Sequence, residues 1–211
     1  MKKFIAILLI TVLVVSFTAC GNKPKTKLPD KKVIEEIFNT VTPIEAARNA
    51  AKQGSVVLFE KMECVAGQDI WDSFVEKTSE GEPCEVLVAR YYDFTEQNAT
   101  LEDKEGVVDI SMFYYLVDFD GKEYHVKVRM TEEDSLDSEK TFKYMMHFAG
   151  EGKLPNAAPS TYDRYVLTEK NDVTWEDLEW STLTSTYDPD KDVGAWMTIY
   201  ENVNFENSAK E

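Results

Sequence analysis

The sequence predicts an α+β fold: one domain, a mostly antiparallel sheet, and helices packed on one face of it. Three observations point there. Two amphipathic helical stretches come first, a block of alternating strands joined by short turns follows, and one more helix and strand close the chain. The clearest local signal is Phe113 to Arg129, two alternating runs on either side of Asp120-Gly121, which is the dipeptide of a two-residue hairpin turn. The third is length, because what remains of 211 residues after the N-terminal segments suits a single core better than two.

In chain order, a helix opens near Lys31 with Val33, Ile34, Ile37 and Phe38 on one stripe. Thr42-Pro43-Ile44-Glu45 is a capping box with proline at the first helical position, and Gly54 stops that helix after Ala46, Ala47, Ala50 and Ala51. Ser55 to Glu60 reads as a strand. Gln68 to Ser79 reads as a helix with Ile70, Trp71, Phe74 and Val75 inward, ended by Gly81 and Pro83, and Cys84 to Tyr92 as the next strand. With Asp120-Gly121 at the turn, Phe119 stands opposite Lys122, Val117 opposite Tyr124, Tyr115 opposite Val126 and Phe113 opposite Val128 on an apolar face. Leu116 with His125, Tyr114 with Lys127, and Met112 with Arg129 make the more polar face. Lys140 to Phe148 continues the alternation as one strand, placing Lys143 and His147 together, and Thr161 to Thr168 is another. Thr174 caps a helix with Asp177 at its third position and Val173 stapled to Leu178; a last strand spans Ala195 to Tyr200.

The N-terminus carries Lys2-Lys3, an apolar run from Phe4 to Phe17, and Thr18-Ala19-Cys20. That is the layout of a secretory signal, too short for a permanent span, which needs roughly 20 apolar residues. Phe17-Thr18-Ala19-Cys20 resembles the lipobox of bacterial lipoproteins, with phenylalanine where the family usually has leucine. The resemblance implies that the Cys20 thiol receives a diacylglyceryl group and that Cys20 becomes the new N-terminus after cleavage, and two acyl chains hold a protein stably on a membrane where one does not. The layout of the body and its wording at Val56-Val57, Ile70-Trp71 and Arg90-Tyr91 resemble small uncharacterised lipoproteins of low-GC Gram-positive bacteria. The expected organisation is therefore a signal peptide over 1–19, the lipidated cysteine with a basic flexible tether over 20–32, a globular domain over 33–203 and a loose tail over 204–211.

Acidic residues outnumber basic ones by 39 to 23, giving a formal charge of −16. Lys23, Lys25, Lys27, Lys31 and Lys32 lie in the tether, so the body is more acidic still. A basic segment beside a lipid anchor is drawn to anionic headgroups, while the acidic body is held in solvent and away from nucleic acid. Cys64 and Cys84 flank the helix at 68–79, which separates them by roughly 18 Å, whereas a disulfide needs Cα atoms within roughly 7 Å. Two free thiols are expected.

Two weaker constellations remain. Asp188, Asp190 and Asp192 have the opening spacing of a calcium-binding EF-hand loop, but Val193 stands where glycine is needed and Ile199 where the bidentate glutamate belongs. His125, Lys127, Arg129, Lys143 and His147 would form a cationic patch for an anionic ligand if the outer sheet face gathers them. No nucleophile elbow, zinc motif, Cys-x-x-Cys, phosphate loop or dinucleotide fingerprint is present. The sequence thus predicts a non-enzymatic, cofactor-free lipoprotein on the extracytoplasmic face of the cell membrane. It is held in the lipid bilayer by Cys20 and carries an interaction or envelope-associated domain, with an envelope or surface protein as partner. The rival reading is a small-molecule or cation-binding lipoprotein.

Overall fold

The computed structural model describes residues 27–40, 44–98, 110–130, 138–151, 161–183 and 192–204. It is a mixed α+β domain, as predicted. The elements are α1 (Lys31–Asn39), α2 (Ile44–Lys52), β1 (Val57–Glu60), β2 (Glu63–Ala66), α3 (Gln68–Ser79), β3 (Cys84–Asp93), the single turn α4 (Thr95–Asn98), β4 (Ile110–Phe119), β5 (Tyr124–Met130), β6 (Ser138–Phe142), β7 (Tyr144–Glu151), β8 (Thr161–Thr168), α5 (Trp175–Leu183) and β9 (Trp196–Asn204). A six-stranded sheet has the order β2-β1-β3-β4-β5-β6, and a three-stranded sheet the order β7-β8-β9. Among the described strands only β1 and β3 pair in parallel, since α3 lies in the connection between them.

The helices occupy both faces of the large sheet rather than one. Val56 and Leu58, with Leu87, Ala89, Tyr114 and Leu116, pack against Ile34 and Phe38 of α1 and the alanines of α2. The intervening residues Val57, Phe59, Val86, Val88, Val117 and Phe119 pack against Ile70, Trp71 and Phe74 of α3. The near-continuous apolar runs of β1 and β3 are the signature of strands buried on both sides. On the α3 side the small sheet completes the core. Trp71 stacks on Tyr200 of β9 at 4.9 Å and meets Tyr165 of β8 edge-on at 5.3 Å.

The two sheets join at two corners around α3. At one, the single strand expected over Lys140 to Phe148 breaks at Lys143, whose N–H donates to Thr168 O at 3.1 Å, so β6 stays in the large sheet and β7 enters the small one. The side-chain alternation inverts there, because Phe142 and Met145 both reach the central core. At the other, the Val203 N–H of β9 donates to Met62 O at 3.0 Å. Gly67, which opens α3, lies tight against the start of β1: its φ is +82°, and a Cβ there would stand 2.5 Å from Val56 O.

The β4–β5 hairpin is displaced from the expected register. Phe119 pairs with Tyr124, Val117 with Val126 and Tyr115 with Val128. The turn therefore centres on Gly121-Lys122, with Gly121 at φ +97° in the first central position, the glycine site of a II′ turn. Asp120 is drawn out of the turn centre because its Oδ1 accepts from the N–H groups of Lys122 and Glu123, at 2.8 and 2.9 Å. A two-residue shift in partner leaves every side chain on its expected face. The folded body also begins earlier than residue 33: Asp30 caps α1 by accepting from the Lys32 N–H, and Leu28 packs on the central core.

Candidate functional site

A two-residue turn at Lys61-Met62 builds a concave part of the surface. Glu60 pairs with Glu63 across it, and Lys61 holds a left-handed φ of +59°, uncommon for a residue with a Cβ. The Lys61 N–H donates to Tyr91 O at 2.7 Å, which fixes the turn against the end of β3. Three cavities surround it. One of about 830 Å³ lies towards α2, where Arg48 donates from Nε and Nη2 to Glu60 Oε1 at 3.0 and 2.8 Å and sits over the Tyr91 ring. On the other side, cavities of about 460 and 710 Å³ adjoin at Glu63 and Val203, which line both, along a groove from the end of β3 to the ends of β8 and β9.

Aromatic rings stand at both ends of this groove. Tyr92 and Phe94 hold parallel rings with centroids 6.0 Å apart, and Phe113 meets Tyr92 edge-on. Phe94 is 39% exposed and Met62 37%. At the far end Tyr162 lies 5.6 Å from Trp175, with the Arg164 guanidinium over both rings. Between them are Asp93, Glu63, Asp163 and Asn202. Hydrogen bonds from Thr95, its side chain first and then its N–H, hold the Asp93 carboxyl below the usual range.

Behind the groove the two sheets are clamped by charge. Arg90 of β3, 4% exposed, donates Nη2–H to Ile199 O at 2.9 Å and Nη1–H to Glu201 at 3.4 Å, and packs over Phe59. Glu201 also accepts from Arg164 Nε at 2.6 Å. These residues position the groove and are not themselves part of its lining.

The predicted cationic patch does not assemble. His125, Lys127 and Arg129 share one face of β5, but Arg129 donates to Phe38 O and Asn39 O at 3.2 and 3.0 Å and so caps the C-terminus of α1. His125 lies between Thr141 Oγ1 at 3.2 Å and Asp120 Oδ2 at 3.4 Å. Lys143 sits at the corner, and His147 belongs to the other sheet, where it meets Asp163 at 2.7 Å and stacks on Tyr165. The break at Lys143 removes the shared face on which the patch depended.

Asp188 and Asp190 lie outside the described residues, as do Cys20, the signal segment and Thr42 and Pro43 of the first capping box. Asp192 accepts from the Gly194 N–H at 3.0 Å and faces Lys170 at 3.5 Å, and these partners lower its pKa. Among the described residues no three His, Cys, Asp or Glu are grouped to hold a metal ion, and no helix is long and apolar enough to cross a membrane. Cys64 and Cys84 are free, as predicted, and burial pushes each thiol up to about 11.

The groove itself went unseen in the sequence. Its only trace there is Tyr91-Tyr92-Asp93-Phe94, where aromatics run on past the end of an alternating strand. No protein-family model matches the chain, no curated protein matches it, and no solved structure matches it.

Proposed function

We propose that this chain is a lipid-anchored protein of the extracytoplasmic face of a cell membrane, and that its body is a non-catalytic binding domain for an envelope or surface component. The observation that carries the reading is the N-terminal sequence: Lys2-Lys3, the apolar run to Phe17, and Thr18-Ala19-Cys20. The body supports the binding part. Its groove combines aromatic rings with fixed polar groups on rigid strand ends, a lining suited to holding a ligand. The thiols of Cys64 and Cys84 keep their protons at neutral pH, which leaves them weak nucleophiles.

Geometry adds an orientation. Leu28 lies beside Cys84, at the start of β3, and the groove begins at Asp93, at its end. A ten-residue strand spans about 30 Å, so a chain anchored through Cys20 carries its groove on the side away from the point of attachment.

Metabolic labelling with an alkyne fatty acid tests the anchor. Wild-type protein is labelled and fractionates with membranes, whereas Cys20→Ser is unlabelled and accumulates as precursor or shed protein. Labelling that survives the substitution overturns the reading.

A further inference from the structure

We propose that the groove between Tyr92/Phe94 and Tyr162 binds a glycan chain, neutral or amino-bearing, a ligand class that rests on the binding-domain reading above. Sugars present two kinds of surface: weakly polarised C–H faces, which pack on the negative faces of aromatic rings, and hydroxyls, which donate and accept in pairs. The groove offers both, with the parallel Tyr92 and Phe94 rings at one end and the Tyr162 ring, itself packed on Trp175 and under Arg164, at the other. Its floor carries Glu63, Asp163 and the amide of Asn202. The two cavities, about 460 and 710 Å³, each fall in the range of about 300–1,000 Å³ typical of ligand clefts, and they lie side by side with Glu63 and Val203 lining both. That shape suits several linked rings better than one compact molecule.

Other ligand classes fit less well. Among the described residues Lys61 is the one cation in the lining of the two cavities; Glu60 is paired with Arg48 and Asp163 meets His147, so it is Glu63 and Asp93 that phosphate, nucleic acid and acidic polysaccharide meet as like charge. An extended peptide adding to the sheet beside the turn meets backbone already in use, since Met62 O accepts from the Val203 N–H. Acidic side chains and an amide accept hydroxyl hydrogens well, and they favour ammonium groups over carboxylates.

The test titrates the full chain in detergent with three hexasaccharides of equal length: chitohexaose, its fully deacetylated form, and hexagalacturonate. Spermine serves as a control for charge alone. The expected result is binding of the first two and none of the third. Phe94→Ala and Tyr92→Ala should each weaken chitohexaose by about five- to tenfold, and the exposed Phe94→Ala should leave the thermal midpoint unchanged. Absence of chitohexaose binding overturns the glycan assignment. So does a deacetylated hexamer that binds no better than spermine and ignores Phe94→Ala, since that marks an acidic surface only. Both outcomes are independent of the fatty-acid labelling of Cys20, so failure of the ligand class and failure of the anchoring are read separately.

Discussion

Replacing Glu201 should separate the two sheets energetically. Its carboxylate is 13% exposed and stands between Arg164 at 2.6 Å and Arg90 at 3.4 Å, whose side chains are 12% and 5% exposed. The triad holds two positive charges against one negative, and the excess is spread over aromatic faces: Arg90 over Phe59 at 5.2 Å, Arg164 over Trp175 at 4.3 Å. Arg90 Nε is buried without a partner, so the site has no spare acceptor to take over when Glu201 is lost. Removing one partner of a buried ion pair costs about 3–5 kcal/mol, and Glu201→Leu should fall in that range. Glu201→Gln keeps an acceptor but loses the charge assistance, a difference of about 1.5–3 kcal/mol for hydrogen bonds of this kind. Urea unfolding followed by tryptophan fluorescence gives both values. Hydrogen exchange should find the β8–β9 amides losing protection first, because the triad ties β9 to β3. Because the pair is buried, added salt should change the cost little. A loss below about 1 kcal/mol for Glu201→Leu, or one that vanishes in high salt, would show that the clamp is a screened surface contact and refute the reasoning.

Two further substitutions probe the fold. Gly67→Ala forces a Cβ into a left-handed residue and to 2.5 Å from Val56 O, whereas Gly81→Ala meets the left-handed backbone alone with nothing within 4 Å; the second should cost about 1–2 kcal/mol and the first clearly more, and equal urea midpoints would refute the close approach. For Glu85, burial outweighs the Lys31 ion pair at 2.7 Å and raises its pKa above 4.5, so the folded state holds this proton more tightly than the unfolded chain. That contribution is complete below 4.5 and is lost as pH rises through the folded value, so Glu85→Gln should gain stability relative to wild type across that window; a pH-independent difference in melting would refute it.

What the sequence makes legible is local. The α3 boundaries, Gln68 and Ser79, and those of β8, Thr161 and Thr168, are as predicted, because each element has a clean period and a glycine, proline or polar break beside it. The reciprocal box of Thr174 and Asp177 forms, with the Asp177 N–H donating to Thr174 Oγ1 at 3.2 Å and Val173 packed with Leu178. What fails is decided at long range. The β1–β2 turn has no Gly, Asn or Asp to announce it; Lys61 accepts its strained φ because Tyr91 O holds its N–H. The break at Lys143 has no breaker residue either, and follows from Thr168 capturing its N–H across the corner. The groove depends on both corners, so its two aromatic ends, 68 residues apart between Phe94 and Tyr162, were not visible as one site.

The way the chain enters the body ties these pieces to the proposed anchoring. Lys31 is the one tether lysine with an ion pair among the described residues, reaching Glu85 Oε2 at 2.7 Å and Asp118 at 3.5 Å, while Leu28 lies on the central core. Glu85 is 8% exposed, and an isolated carboxylate at that depth would be expensive to ionise. The ammonium of Lys31 offsets that cost only while α1 stays docked, so the start of α1 and the start of β3 stabilise each other. A tether that remained loose up to residue 33 would let the body turn freely about its attachment. The observed docking removes that freedom from residue 28 onward and fixes the direction of β3 relative to the incoming chain. On the proposed anchoring, Lys23 and Lys25, which precede residue 28 in the sequence, are drawn to anionic headgroups, while the acidic body is repelled from them. Attraction at the tether and repulsion of the body act in the same sense, so the proposed anchoring would place the Asp93 end of β3, and with it the groove, away from the bilayer.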